Sequence, residues 1–260
     1  VSGPGAPLTK GGSVLGGASD TGSNSIANNK KVVPQYILDN ILAYEQHYRP
    51  AAKPILILIK AHSRNAVAGT QIANMVRAAT KHKPNIKIEL VAFDPVPGPD
   101  HEGRDVAVDI SSIPNSTVVY SMATQYPVGF TPQKVFGAKR IIISRQNHSV
   151  GLVAGFRYGG KHYKGSQLNS LPTGIFVDSN KTGENIHSLL KIDTIEDAQH
   201  NFRNEFEQSE STSRDDGRLD NIAEVLNEYF RRNRPIRIQG RTTRVVNPKT
   251  GSSYTKSKDD

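Results

Sequence analysis

The chain has 260 residues, 36% of them hydrophobic, which is enough for one sizeable core with appendages. It has no cysteine, so disulfides, thiolate metal sites and a cysteine nucleophile are excluded. No apolar run approaches the ~18 residues of a membrane-spanning helix, and a formal net charge of +9 favours contact with phosphates, on nucleic acid or on anionic lipid.

The chain opens at Val1 without methionine or a charged-then-apolar signal segment, which reads as a fragment or processed piece. Residues 1–30 are rich in Gly, Ser and Asn and form no regular element on this reading. They are either a linker or an active-site loop in which glycines let backbone N–H groups approach a ligand. Val33, Ile37, Ile41, Leu42, Tyr44 and Tyr48 recur at helical spacing and predict a helix over 32–48. "PILILI" (54–59) reads as a buried strand. Residues 65–81 then read as a helix with Ile72, Met75, Val76 and Ala79 facing inward. Strands follow at 86–93, 116–123 and 138–144, and strand–helix–strand order with short links implies right-handed parallel crossovers. The segments 155–165 and 173–178 read as a hairpin or looped excursion. Two helices close the series, Thr194–Glu207 behind a Thr cap and Leu219–Phe230 with one apolar stripe. The divisions expected are thus 1–30, a core over 31–190, a helical segment over 191–230 and a basic flexible tail over 231–260.

Three polar residues fall just beyond predicted strand ends, where open parallel sheets bind ligands. They are Ser63 in "IKAHSRN", Asp94 in "AFDPVPG" and His148 in "ISRQNHSVG". A serine hydroxyl attacks well only when an imidazole takes its proton, and that imidazole needs a carboxylate to fix its tautomer. The order Ser, Asp, His matches one known chain order of such triads. Oxyanion donors would be the backbone N–H of Arg64 and a glycine-rich segment around Gly5. Each residue also has a plain role open to it: Ser63 as a helix cap, Asp94 as a turn former, His148 as a polar loop residue. His62 neighbours Ser63 but, at an elbow, adjacent side chains point apart, so it is a poor base. No carboxylate cluster argues for a tight metal site, and the chemistry requires no cofactor.

"IKAHSRNAVAG", "AFDPVPG" and "NHSVGLVAGF" together resemble the α/β-hydrolase lipase effectors of bacterial type VI secretion systems and their uncharacterised relatives. That family reads G-F-S-R-G-A, W-D-T-V-G and V-H-x-D-x-G-G-G-Y in these places. Ser63, Arg64 and Ala66 match the first motif, Asp94, Val96 and Gly98 the second, and His148, Gly151 and Gly155 the third. Gly3-Pro4-Gly5 would correspond to the family's N-terminal glycine loop, and Gly16, Gly17 and Gly22 to its later G-x-G stretch. Ala61 and Asn65 replace the elbow glycines, and Ser149 stands where the family has an acid. The resemblance covers residues 1–160.

It implies an α/β-hydrolase-like fold, with a mostly parallel sheet, flanking helices and a C-terminal helical appendage. It implies a serine hydrolase of phospholipid or other acyl esters, secreted or translocated to act at membranes of a target cell. A cognate immunity or chaperone protein would then be a partner. Residues 231–244 hold six Arg and no acid, either a solvated tail or an arm for an anionic membrane. Two other readings remain: an acyltransferase with the same triad, and a non-catalytic basic module binding nucleic acid or an acidic partner. Zinc-finger spacing and RNA-binding aromatic signatures are absent, so nucleic acid is not the expected partner.

Overall fold

The computed structural model describes residues 25–48, 53–98, 107–122, 131–144, 148, 155–158, 160–177, 184–185, 216–233, 242–246 and 253–257. Helix α1 (Ile26–His47) starts inside the stretch read as glycine-rich loop. Ser25 fixes that start, since its hydroxyl accepts the Asn28 N–H at 3.1 Å, and the first helical side chain, Ile26, is fully buried.

Strand β1 (Ile55–His62), helix α2 (Arg64–Ala79) and strand β2 (Ile86–Phe93) form a crossover unit. β1 and β2 run parallel, in register from Ile55↔Ile86 to His62↔Phe93. Strands β3 (Ala107–Asp109) and β5 (Lys134–Phe136) make a short parallel side pair. Strands β4 (Asn115–Ser121), β6 (Arg140–Ser144), β9 (Gly174–Val177) and β10 (Glu184–Asn185) complete the central sheet in the order β1-β2-β4-β6-β9-β10. The first five are mutually parallel and β10 is antiparallel, so the chain belongs to the α/β class.

Strands β7 (Phe156–Tyr158) and β8 (Lys161–Tyr163) are the expected hairpin, followed by a 3₁₀ helix, Gly165–Ser170. The "TGIFVD" stretch is no excursion: β9 pairs with β6 inside the main sheet. Its Ile175, Phe176 and Val177 are all buried, and a run covered on both faces has no alternation to betray it. Helix α3 (Asp216–Asn233) takes in Arg231 and Arg232 from the stretch read as tail, and strands β11 (Thr242–Val246) and β12 (Ser253–Ser257) pair antiparallel beyond it. The predicted helix Thr194–Glu207 lies outside the described residues.

Successive residues of β2 face opposite layers. Ile86, Ile88, Leu90 and Ala92 belong to the core cluster that α1, α2 and α3 also enter, whereas Val91 and Phe93 belong to a second cluster with Phe156, Leu168 and Leu171. α2 turns a small-residue face, Ala66, Gly69 and Ala73 with Ile72 and Val76, inward. Met75 and Ala79, expected inside, are exposed as a result. β1 pairs with β2 alone among the described strands. The exposed large apolar residues Val32, Tyr36, Leu42, Leu56, Leu58 and Met75 gather on α1, β1 and α2 beside it.

Candidate active site

Ser63 stands between β1 and α2 with φ 57° and ψ −132°. A non-glycine residue enters that region only where its surroundings force it, and here the strand must turn at once into the helix. Its N–H donates to the Phe93 carbonyl at 2.9 Å, one step beyond the last β1–β2 pair, and its carbonyl accepts the Ala66 and Val67 N–H groups. Its side chain makes no capping hydrogen bond. The helix-cap reading therefore loses its physical basis: the backbone starts the helix and the hydroxyl does not. The turn stays tight because α2 presses on β1 where both are small. A Cβ built on Gly69 would meet Ala61 Cβ at 3.1 Å and Ile59 Cγ2 at 3.4 Å. Ala61 is thus small enough for the close approach that this turn needs.

Asp94 follows β2 with φ 39°, the second non-glycine residue at positive φ among those described. Its N–H donates to the Val119 carbonyl, which holds the bend to β4. The residue is fully buried. Oδ2 accepts His148 Nδ1–H at 2.7 Å. Oδ1 accepts the Ser121 N–H at 3.2 Å and Arg218 Nη1–H at 2.8 Å. Burial pushes this carboxyl up, but the charge of Arg218 and the hydrogen bonds from His148 and Arg218 outweigh it and leave it below its ordinary value. Asp94 is therefore a fixed anion holding His148 by Nδ1, and the tautomer that donates there keeps Nε2 as the basic nitrogen.

His148 is buried after the end of β6. His62 holds it from the side: His62 Nε2–H donates to the His148 carbonyl at 2.7 Å, and the two rings lie 4.4 Å apart between centroids. Burial lowers the pKa of His62, so it is a neutral wedge against the His148 loop. The structure thus brings Asp94 and His148 into direct contact. It ties Ser63 to the same corner through its neighbours, with Phe93 on one side and His62 on the other. No hydrogen bond joins the Ser63 hydroxyl to His148 among the described residues. Catalytic contacts of this kind often close only when substrate is bound.

Arg64, expected to supply an oxyanion N–H, is the first residue of α2, and helix-start N–H groups find no acceptor within the helix itself. Its side chain also braces the neighbouring loop, since it is buried and Nε donates to the Pro97 carbonyl at 3.0 Å. Gly5 lies outside the described residues, as do Gly3, Gly16, Gly17, Gly22, Ser149 and Gly151. Of the basic stretch, Arg231 pairs with Glu228, and Arg232 with Glu228 and Asp109. Among the described residues no group of three or more His, Asp or Glu could hold a metal ion, and no helix is long and apolar enough to cross a membrane.

Sequence reasoning missed two participants. Arg218 falls just before the predicted helix Leu219–Phe230, with no pattern to mark it, and its partner is 124 residues away. His62, weighed only as a base, instead holds the His148 carbonyl from 86 residues away, a contact that no local pattern encodes.

Comparison with known proteins gives no matching family model, no similar curated protein and no similar solved structure.

Proposed function

We propose that the chain is a serine acyl-ester hydrolase of α/β-hydrolase type in which Ser63, His148 and Asp94 act as the triad. The observation that carries this reading is the His148 Nδ1–Asp94 Oδ2 contact of 2.7 Å at the strand ends beside Ser63, which is itself at φ 57°. In the reaction, Ser63 Oγ attacks the ester carbonyl carbon while His148 Nε2 takes its proton. The imidazolium, held by Asp94, returns that proton to the departing alcohol. Water then cleaves the acyl-enzyme by the same relay. The Arg64 N–H would meet the carbonyl oxygen as it becomes an anion.

An acyl substrate is further supported by an apolar groove of about 210 Å³ lined by Val33, Ile37, Leu58, Ile59, Ala68 and Ile72. It reaches Ala61 and Asn65, two residues to either side of Ser63. A phospholipid is the natural class for a basic protein with such a groove, and action at the membrane of a target cell follows from the resemblance above. The contact with anionic lipid would fall to the arginines beyond Asn233, since Arg231 and Arg232 already pair with acids.

The test is Ser63→Ala on p-nitrophenyl esters and on phospholipid vesicles, with a fluorophosphonate probe mapped to its labelled residue. Turnover is expected to fall by several powers of ten, because triad members act as a unit, and labelling is expected at Ser63. Equal hydrolysis by variant and parent removes the reading. Products distinguish hydrolysis from transfer to an added alcohol.

A further inference from the structure

Arg218 reaches Asp94 from the first turn of α3, where a cation opposes the helix dipole and an acid would be the ordinary choice. Its side chain is 3% exposed and faces a carboxylate that is 2% exposed. One nitrogen, Nη1, donates both to Asp94 Oδ1 at 2.8 Å and to the Ser121 carbonyl at 2.7 Å. The Ser121 N–H closes the circuit on the same Oδ1 at 3.2 Å. The helix behind it cannot drift, since Ile222, Ala223, Val225 and Leu226 are buried in the core and Asn221 Nδ2 donates to the Pro132 carbonyl at 2.7 Å.

We propose that Arg218 is the positioning residue of the catalytic acid: by occupying Oδ1 it leaves Oδ2 as the oxygen presented to His148, and so makes α3 a required part of the site. The inference rests on the triad reading above. A carboxylate otherwise rotates about its terminal bond, and an imidazole held by a rotating partner loses its aim at the serine. An arginine kept only for stability would be a poor choice, because buried ion pairs add little over apolar packing. A local rule broken at the dipole points to the site.

Among the described residues, the titratable or charged groups around Asp94 are Arg218, His148, His62 and Tyr120, each from a different segment. Removing the Arg218 charge takes away the strongest influence holding the Asp94 carboxyl below its ordinary value, so the acid takes up its proton at a higher pH. The acid limb of the pH–rate profile must then move to higher pH.

The experiment uses the full chain and p-nitrophenyl acetate. The variants are Arg218→Lys, Arg218→Met, Asp94→Asn and Arg218→Met/Asp94→Asn, with proton spectra recording the downfield Nδ1–H of His148. In Arg218→Met, kcat is expected to fall roughly 10- to 100-fold, the loss typical of misplaced catalytic geometry. KM should stay within about twofold and the acid limb of kcat/KM should shift upward, with Arg218→Lys recovering part of both. In the Asp94→Asn background, removal of Arg218 should cost nothing further, because it acts only through that carboxylate. Arg218→Met with parent kcat and pH profile overturns the proposal, and so does a double variant at least about tenfold below Asp94→Asn. Where Arg218→Met does not fold, the double variant, which strands no buried charge, gives the decision. The Nδ1–H resonance needs no substrate and should persist in Ser63→Ala but shift or vanish in Arg218→Lys. An unchanged resonance counts against Arg218, whereas equal hydrolysis by parent and Ser63→Ala counts against the hydrolase reading.

Discussion

The guanidinium of Arg64 lies between the turn that presents Ser63 and the loop that follows Asp94, and Gly98 is shaped around it. Gly98 sits at φ 88°, and a Cβ there would fall 2.2 Å from Arg64 Nη2 and 2.8 Å from its Nε and Cζ. The Arg64 side chain cannot step aside cheaply, because its Nε is committed to the Pro97 carbonyl. Gly98→Ala should therefore incur two losses. One is the left-handed backbone, about 1–2 kcal/mol for an L residue, and the other a disturbed buried hydrogen bond of similar size. Gly160 is the control, at φ 76° with nothing within 4 Å of its would-be Cβ. Urea unfolding should show Gly98→Ala losing clearly more stability than Gly160→Ala. Equal losses would mean that Arg64 yields and that the two motif stretches are not coupled through it. This coupling gives a physical reason why Ser63-Arg64 and the glycine that ends "DPVPG" occur in one chain.

Between elements, the distance from α2 to β1 decides where Ser63 stands. Gly69 meets Ala61 and Ile59 at the limit of contact, so Gly69→Ala asks for a few tenths of an ångström while gaining about 1 kcal/mol of helix propensity. That variant should fall within about 1 kcal/mol of the parent. Gly69→Leu cannot be accommodated without pushing the helix outward, an overpacking loss of about 1–3 kcal/mol. It should lower turnover in the proposed ester hydrolysis beyond what its melting temperature explains, since the helix carries the Arg64 N–H with it; turnover equal to that of Gly69→Ala would refute the link. The same elements show what a sequence can reveal. β1, α2 and β2 are readable because an apolar run and a helical spacing adjoin a turn that few residues can make. The inward face of α2 is read correctly at Ile72 and Val76 but wrongly at Met75 and Ala79, because much of the real contact is built from Ala66, Gly69 and Ala73, small residues that carry little hydropathy signal. β9 escapes because four residues are too few for periodicity. The strand-end positions of Ser63, Asp94 and His148 are legible from order alone. The support from Arg218 and His62 is not, since each is a long-range contact made by a residue whose local pattern has a simpler explanation.

For the molecule as a whole, the site predicts how stability responds to acid. Two groups of the site have folded pKa values below their ordinary ones: His62, lowered by burial, and Asp94, where Arg218 and His148 outweigh burial; outside the site Asp109, hydrogen-bonded by Ser111 and Arg232, is lowered as well and adds to the carboxylate stage. Lowered pKa values mean that the unfolded chain binds protons before the folded one does, so stability is lost as pH falls. For His62 the loss begins near the ordinary histidine value of 6.5, and for Asp94 near the ordinary carboxylate value of 3.8. Thermal melting followed from pH 8 to pH 3 should therefore decline in two stages, the first set in part by a residue that the proposed reaction does not titrate. His62→Gln keeps a donor for the His148 carbonyl without a titrating ring. Its melting temperature should fall less than the parent's between about pH 7 and pH 5, and both proteins should lose further stability near pH 4, where the unfolded chain protonates Asp94 before the folded one does. Parallel curves for the two proteins across the upper window would show that His62 is not held neutral against the His148 loop.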